Sequence, residues 1–268
     1  MHTDISSLLE PLVALARSAG DRILDIYDSD FEVSAKNDQS PLTAADLASH
    51  RTIVDGLQRL TPELPVLSEE SAEIPFETRS TWREYWLVDP LDGTKEFVKR
   101  NGEFTVNIAL IRDHQPVLGV VYVPVKDLCF YGCAGLGAFR VADGEQPQPL
   151  RVQPVTSGPV RVVGSRSHRG ASLDGYLERL GEHQMVPMGS SLKLCLVATG
   201  EADVYPRLGP TSEWDTAAAQ AVVEAAGGQV TTLDGERLRY NARESVLNPE
   251  FLVFGDPAQA WPKKVLAI

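Results

Sequence analysis

"WLVDPLDGTKEF" (residues 86–97) ends an apolar run in two aspartates three apart, Asp89 and Asp92, with a proline between them and Gly-Thr behind. Taken by itself the stretch is a surface turn, since Asp-Pro and Asp-Gly are both ordinary turn dipeptides. Its chemistry also allows a second reading. Pro90 has no amide hydrogen and biases the chain away from regular structure, which leaves the Leu91 carbonyl free to face a cation. Gly93 permits close backbone approach, and Thr94 can open a helix whose amides face an anion. Oxygen donors alone suit a hard cation, Mg²⁺ above all.

The chain around this stretch divides in two. Residues 4–27 carry apolar side chains mostly three and four apart, which predicts an amphipathic opening helix. "FEVSAKNDQSPLT" reads as a short strand and a loop, and Ser40 or Thr43 can cap a second helix over roughly residues 43–60. "LPVLSEES" is a brief strand running into Glu69 and Glu70. From 84 to about 141, short runs rich in Val, Ile, Tyr and Phe are broken by Gly, Pro and Asp, which predicts consecutive antiparallel strands. The polar, Pro- and Gly-rich stretch 142–158 is the expected boundary between a domain of residues 1–150 and one of residues 151–268. Beyond it, strand and helix patterns alternate, ending in the Ala-rich helix "WDTAAAQAVVEAAGG", with Gly227 at its C-cap, and the strand "FLVFGD". The expected class is α/β, an α+β half followed by an α/β half.

The other acids on this map have ordinary readings of their own. Glu69 and Glu70 suit a solvated loop, Asp46 a helix first turn and Asp215 a helix cap. Taken together, however, "LTAADLASH", "LSEES", "WLVDPLDGTKEF" and "WDTAAAQAVVEAAGG", in this order and at these distances, resemble the lithium-sensitive, Mg²⁺-dependent inositol monophosphatase superfamily. The Lys-Glu-Phe continuation after the aspartate motif resembles its 3′(2′),5′-bisphosphate nucleotidase branch. The likeness covers nearly the whole chain and implies a layered αβαβα sandwich.

It also implies a ligand set. Glu69, Asp89 and the Leu91 carbonyl match the ligands of a first Mg²⁺. Asp89, Asp92 and Asp215 match those of a second, with Asp89 bridging. Thr94 matches the hydroxyl that, with Glu69, orients and activates the attacking water, and Asp46 an acid near that water and a weaker third metal. Where many relatives have glycine before the two glutamates this chain has Ser68, to which no functional consequence is attached. Charge counting agrees: two unit charges about 4 Å apart repel by roughly 4 kcal/mol at an effective dielectric near 20, so four carboxylates in one pocket call for cations. No serine or cysteine nucleophile motif competes with this reading.

The second half carries cations at element ends. "VVGSRSHRG" holds Arg166, His168 and Arg169, "GSSLKLC" holds Ser190 and Lys193, and Arg207 follows "ADVYP". Each suits solvent-facing charge, and His168 a surface or packing role. In the bisphosphate nucleotidases similar segments hold the adenosine and its 5′-phosphate. The resemblance therefore selects His168, Ser190, Lys193 and Arg207 as substrate contacts, beside Glu69, Leu91, Asp92, Gly93, Thr94 and Asp215, and leaves Arg166 and Arg169 as surface charge.

Bulk properties bound these readings. The chain has 268 residues, 43% of them hydrophobic and 23% charged, as in ordinary globular proteins. A net charge of −12 makes nucleic-acid polymers poor partners, although metals and local cations allow a small phosphorylated nucleotide. Three cysteines without a CxxC pair suggest a reducing cytoplasm. There is no apolar run of the roughly 18–20 residues a membrane span needs and no secretory pattern at the N-terminus. Relatives of this branch can associate peripherally with the bacterial inner membrane, and no anchor is visible here; a monomer and a homodimer both fit. The expected reaction is removal of the 3′-phosphate of adenosine 3′,5′-bisphosphate. The rivals are an inositol or other polyol monophosphatase and a non-catalytic nucleotide- or metal-binding regulator.

Overall fold

Leu12, Leu15, Ala16, Ala19, Ile23 and Tyr27 recur at steps of one helical turn and are all buried on one face of α1 (Leu9–Tyr27), which a short 3₁₀ turn, Ile5–Leu8, precedes. The computed structural model describes residues 5–29, 41–71, 73–155, 158–164, 171–259 and 261. Helix α2 (Pro41–Leu60) packs beside α1 and begins two residues before the sequence reading has it. Its first residue is proline, whose missing amide costs nothing in a first turn. Thr43 is therefore inside the helix, while Ser40 and the strand expected before it lie outside the described residues.

Strand β1 (Val66–Ser68), helix α3 (Phe76–Arg79), strand β2 (Glu84–Asp92) and helix α4 (Thr94–Val98) lead into a meander. The meander comprises β3 (Thr105–Arg112), β4 (Gln115–Val123), β5 (Leu128–Cys133), β6 (Gly137–Ala142) and β7 (Gln148–Leu150). All seven strands form one sheet in chain order, antiparallel except for the parallel pair β1 and β2. The antiparallel run was legible in the sequence; β7, inside the Pro/Gly-rich stretch, was not.

The second half contains β8 (Val160–Gly164), α5 (Ala171–Leu180), β9 (His183–Pro187), α6 (Leu192–Ala198), β10 (Val204–Arg207), α7 (Ala217–Ala225), β11 (Gln229–Thr232) and β12 (Phe251–Phe254). Its sheet has the order β11-β12-β10-β8-β9, parallel among β8, β9 and β10 and antiparallel at β12 and β11. Strand β11 also went unread.

The two-residue period of the strands sorts side chains into layers. Trp86, Val88, Ile108 and Leu110 face α1 and α2, while Tyr85, Leu87, Ala109 and Ile111 face α6 and α7. Val163, Tyr205 and Val253 of the second sheet join that same inner cluster, and Val162, Val204 and Leu252 turn outward to Tyr176 and Leu177 of α5. The architecture is the expected mixed α/β αβαβα stack, without a closed barrel. The α7 backbone lies so close to the first sheet that a Cβ on Gly119 or Gly132 would collide with its Ala218 or Ala221 carbonyl. The stack thus packs α7, which Asp215 just precedes, against β3, β4 and β5, beside strand β2, which carries Asp89 and Asp92.

Candidate active site

Strand β2 does not stop at Asp89; it continues to Asp92 through a bulge. Asp89 pairs with Asn107 and Asp92 with Thr105, so Pro90 and Leu91 together stand opposite Val106. A bulge bends a strand and re-aims its side chains, and here it turns two aspartates toward one place. Local bonds fix it. The Leu91 amide donates to Asp89 Oδ1 at 3.0 Å, and the Ser49 hydroxyl of α2 donates to the Pro90 carbonyl at 2.8 Å. The Leu91 side chain is fully buried beneath the turn. Gly93 takes φ +96° as the residue before α4, and a Cβ there would press on the Glu103 carbonyl and the Phe104 Cα. Thr94 is the first residue of α4, as expected, and is exposed.

Because Ser68 pairs with Val88, Glu69 emerges level with Asp89. The buried Ser68 hydroxyl is 2.8 Å from Nδ1 of His50 on α2. A position to which the sequence reading attached no consequence thus anchors the end of β1. Asp46, also on α2, is buried with its carboxyl against Glu70. Asp215 is not a helix cap: it precedes α7, and its Oδ2 accepts backward, from the Ser212 amide at 3.0 Å.

These acids feel one another. Asp89, 1% exposed, has its pKa held well above the carboxylate range by burial and then by the charges of Asp92, Glu69, Asp215 and Asp46. Burial, then the Asp92 and Glu70 charges, raise Glu69, which opens to solvent at the rim. Burial followed by Asp92 pushes Asp215 up to about 7, and burial followed by Glu70 and Glu69 pushes Asp46 up to about 8. Asp92 is raised by burial and relieved in part by Lys193 and the Ser191 amide. Among the described residues no three His, Cys, Asp or Glu side chains are drawn closely enough to cage an ion as they stand. The donor set nonetheless suits a hard cation: it consists of oxygens, it is over-charged, and the buried Asp46 Oδ1 has no hydrogen-bond partner.

Beside the acids lies a cleft lined by Asp92, Gly93, Ser190, Lys193, Arg207 and Asp215, all six of them expected contacts. Lys193 Nζ donates to the Ser190 carbonyl at 2.6 Å and sits 5.8 Å above the Tyr205 ring. Burial lowers its pKa, against the pull of Asp92. Arg207 donates through Nε to the Gly209 carbonyl at 3.2 Å and also to the Pro210 carbonyl, so it braces the loop before Asp215 as well as lining the cleft. His168, with Arg166 and Arg169, lies outside the described residues. The sequence reading missed Lys95, Glu96 and Tyr205, which line the same cleft. The first two follow Thr94 directly on the first turn of α4, a signal that was available.

The raised carboxyls set a pH dependence. A carboxyl whose folded pKa exceeds its unfolded value of about 4 favours the folded state fully below that value, and loses the advantage as pH rises through the folded pKa. The melting temperature in a chelator should therefore fall between about pH 4 and 8, through the values of Asp215 and Asp46. Mg²⁺, which needs the deprotonated acids, should raise it more at pH 8 than at pH 5. Thermal scans across this range check it; a flat metal-free profile would contradict it.

The model of the Inositol monophosphatase family matches residues 4–260. The chain is 53% identical over 248 residues to the 3′(2′),5′-bisphosphate nucleotidase CysQ of Salmonella typhimurium, covering 92% of this chain and 99% of that protein. The CysQ of Escherichia coli K12 is as similar, at 53% over the same shares. Among solved structures, CysQ from Bacteroides thetaiotaomicron, described as a bacterial member of the inositol monophosphatase family, superposes with a TM-score of 0.82 at 40% identity, covering 92% of this chain and 97% of that one. The family is in general Mg²⁺-dependent. No helix among the described residues is long and apolar enough to cross a membrane. Matched along nearly its whole length and more than half identical to these nucleotidases, the chain belongs to the inositol monophosphatase family.

Proposed function

We propose that this chain is a Mg²⁺-dependent 3′(2′),5′-bisphosphate nucleotidase that hydrolyses the 3′-phosphate of adenosine 3′,5′-bisphosphate to give AMP and phosphate, with phosphoadenylyl sulfate as a further candidate substrate. The observation that carries the reading is Asp89, a buried carboxylate facing the charges of Asp92, Glu69, Asp215 and Asp46 together. The relatives, named as 3′(2′),5′-bisphosphate nucleotidases, support the substrate class.

In this reading Glu69, Asp89 and the Leu91 carbonyl hold one Mg²⁺, and Asp89, Asp92 and Asp215 a second. Asp46 serves a weaker third site. The chemistry Mg²⁺ supplies when bound is acidification of water and neutralisation of charge on the leaving oxygen. Thr94 and Glu69 orient the attacking water, and Glu69 receives its proton. Residues 1–150 carry most of the metal ligands. Residues 151–268 add Asp215 and, through Ser190, Lys193 and Arg207, hold the nucleoside and its 5′-phosphate.

Thr94→Ala removes a hydroxyl and no metal ligand. Turnover should fall by about 10²-fold, the lower end of general acid–base contributions, with Mg²⁺ still stabilising the fold. Loss of that stabilisation would make Thr94 structural.

Substrate choice is tested at Lys193. Binding energy from a remote group can act in the transition state. Lys193→Ala should therefore cost about 1–3 kcal/mol in kcat/KM with the bisphosphate, the scale of a lost charge-assisted hydrogen bond. It should cost little with inositol phosphate, which has no second phosphate to offer. Equal losses on both would assign Lys193 to the fold, through its bond to the Ser190 carbonyl.

A further inference from the structure

The segment Gly189–Lys193 joins the second half to the acids of the first. The Gly189 amide donates to Glu103 Oε2 at 2.9 Å, and the Ser191 amide donates to Asp92 Oδ2. The Ser191 hydroxyl is 2.8 Å from Asn107 Oδ1 and 2.8 Å from Thr105 Oγ1; it donates to the first, so the Thr105 hydroxyl donates to it. All three side chains are buried. Their place in the sheet is telling. Asn107 and Thr105 are the β3 residues paired directly with Asp89 and Asp92 on either side of the bulge. Ser190, the residue before, has φ +44°, a left-handed conformation uncommon outside glycine. Such strain persists only where surrounding contacts hold it, and here contacts hold the segment on both sides.

We propose that Ser191 is a positioning residue for Asp92. Its hydroxyl locks its backbone onto the two residues facing the aspartates, and its amide then fixes the direction of the Asp92 carboxylate. Since Lys193 Nζ bonds the neighbouring Ser190 carbonyl, the cation for the leaving group and the aspartate for the metal hang from one short strap. The inference rests on reading Asp92 as a Mg²⁺ ligand.

The test uses the full chain without substrate. Mg²⁺ is titrated while the melting temperature is followed for wild type, Ser191→Ala and Thr105→Val. The Mg²⁺ concentration at half-maximal stabilisation should rise about 10-fold in Ser191→Ala, the scale of one buried hydrogen bond, and less in Thr105→Val, which removes one partner without changing shape and carries the test if Ser191→Ala does not fold. In turnover, kcat should fall while KM for the bisphosphate stays within about 3-fold, because the leaving-group contacts remain. Variants that melt lower without metal but keep the wild-type Mg²⁺ midpoint would overturn the proposal and make Ser191 structural only. A wild-type protein that Mg²⁺ does not stabilise would overturn the metal reading itself, and with it the role of Ser191. A protein that responds to Mg²⁺ as described but ignores the bisphosphate would overturn only the substrate assignment.

Discussion

Asp89→Asn should abolish nearly all activity, by about 10³-fold or more, while leaving the metal-free protein as stable as wild type or more so. The two halves of this result have one cause. Asp89 is buried and feels four neighbouring acids. Asparagine keeps its shape, and its side-chain oxygen can still accept from the Leu91 amide, but the charge shared by both proposed Mg²⁺ sites is gone. A catalytic metal supplies several kcal/mol of transition-state stabilisation, and each 1.36 kcal/mol is about tenfold in rate. Without metal the same substitution removes repulsion. kcat at saturating Mg²⁺ and the melting temperature in a chelator measure the two halves. Near-wild-type turnover would refute the bridging role, and a large loss of metal-free stability would mean that Asp89 supports the fold rather than opposing it.

Arg79→Met should cost about 3 kcal/mol of stability, the lower end for breaking a buried charged network, or roughly 6–12 °C in melting temperature for a chain of this size. Arg79 is a charged residue of α3 buried under the second half. Its guanidinium donates to Asn241 Oδ1 at 2.5 Å, to the Arg243 carbonyl at 3.3 Å and to the Glu244 carbonyl, and stands 4.8 Å above the Phe76 ring. Asn241, at φ +52°, returns a bond to the Arg79 carbonyl and passes its own amide to Glu213 Oε2 at 2.8 Å. Burial pushes Glu213 up to about 7, with Arg79 among the charges that hold it down. Methionine fills the space but leaves these acceptors unpaired. Glu213 is two residues before Asp215, so the loop that presents Asp215 loosens too, and Mg²⁺ should restore less of the melting temperature than in wild type. Thermal melts with and without Mg²⁺ check both; a shift under about 2 °C would contradict the account of this network.

What was legible in the sequence is what is local. The 3.6-residue spacing gave α1 and α2, the β-branched runs gave the meander, and the four acidic motifs, each a short continuous stretch, carried the family resemblance from which the proposed site is taken. What was illegible is what depends on a partner far along the chain. The aspartate motif reads as a strand ending at Asp89, and only its register against Asn107 and Thr105 reveals a bulge. Asp215 reads as a cap because acids favour helix starts, yet its carboxylate bonds backward to Ser212. Ser191 and Asp92 are 99 residues apart and Arg79 and Asn241 162, so no local pattern pairs them. Strands β7 and β11 are three and four residues long, too short for alternation to register.

The account's central claim is tested most directly by phosphate release from adenosine 3′,5′-bisphosphate and from inositol monophosphate, each with and without Mg²⁺, with the nucleoside product identified. The expected result is release from the bisphosphate only with Mg²⁺, adenosine 5′-monophosphate as the product, and a kcat/KM at least about 10²-fold above that for inositol phosphate, the scale of one well-used remote phosphate contact. Release that is independent of Mg²⁺, or a preference for inositol phosphate, would contradict it.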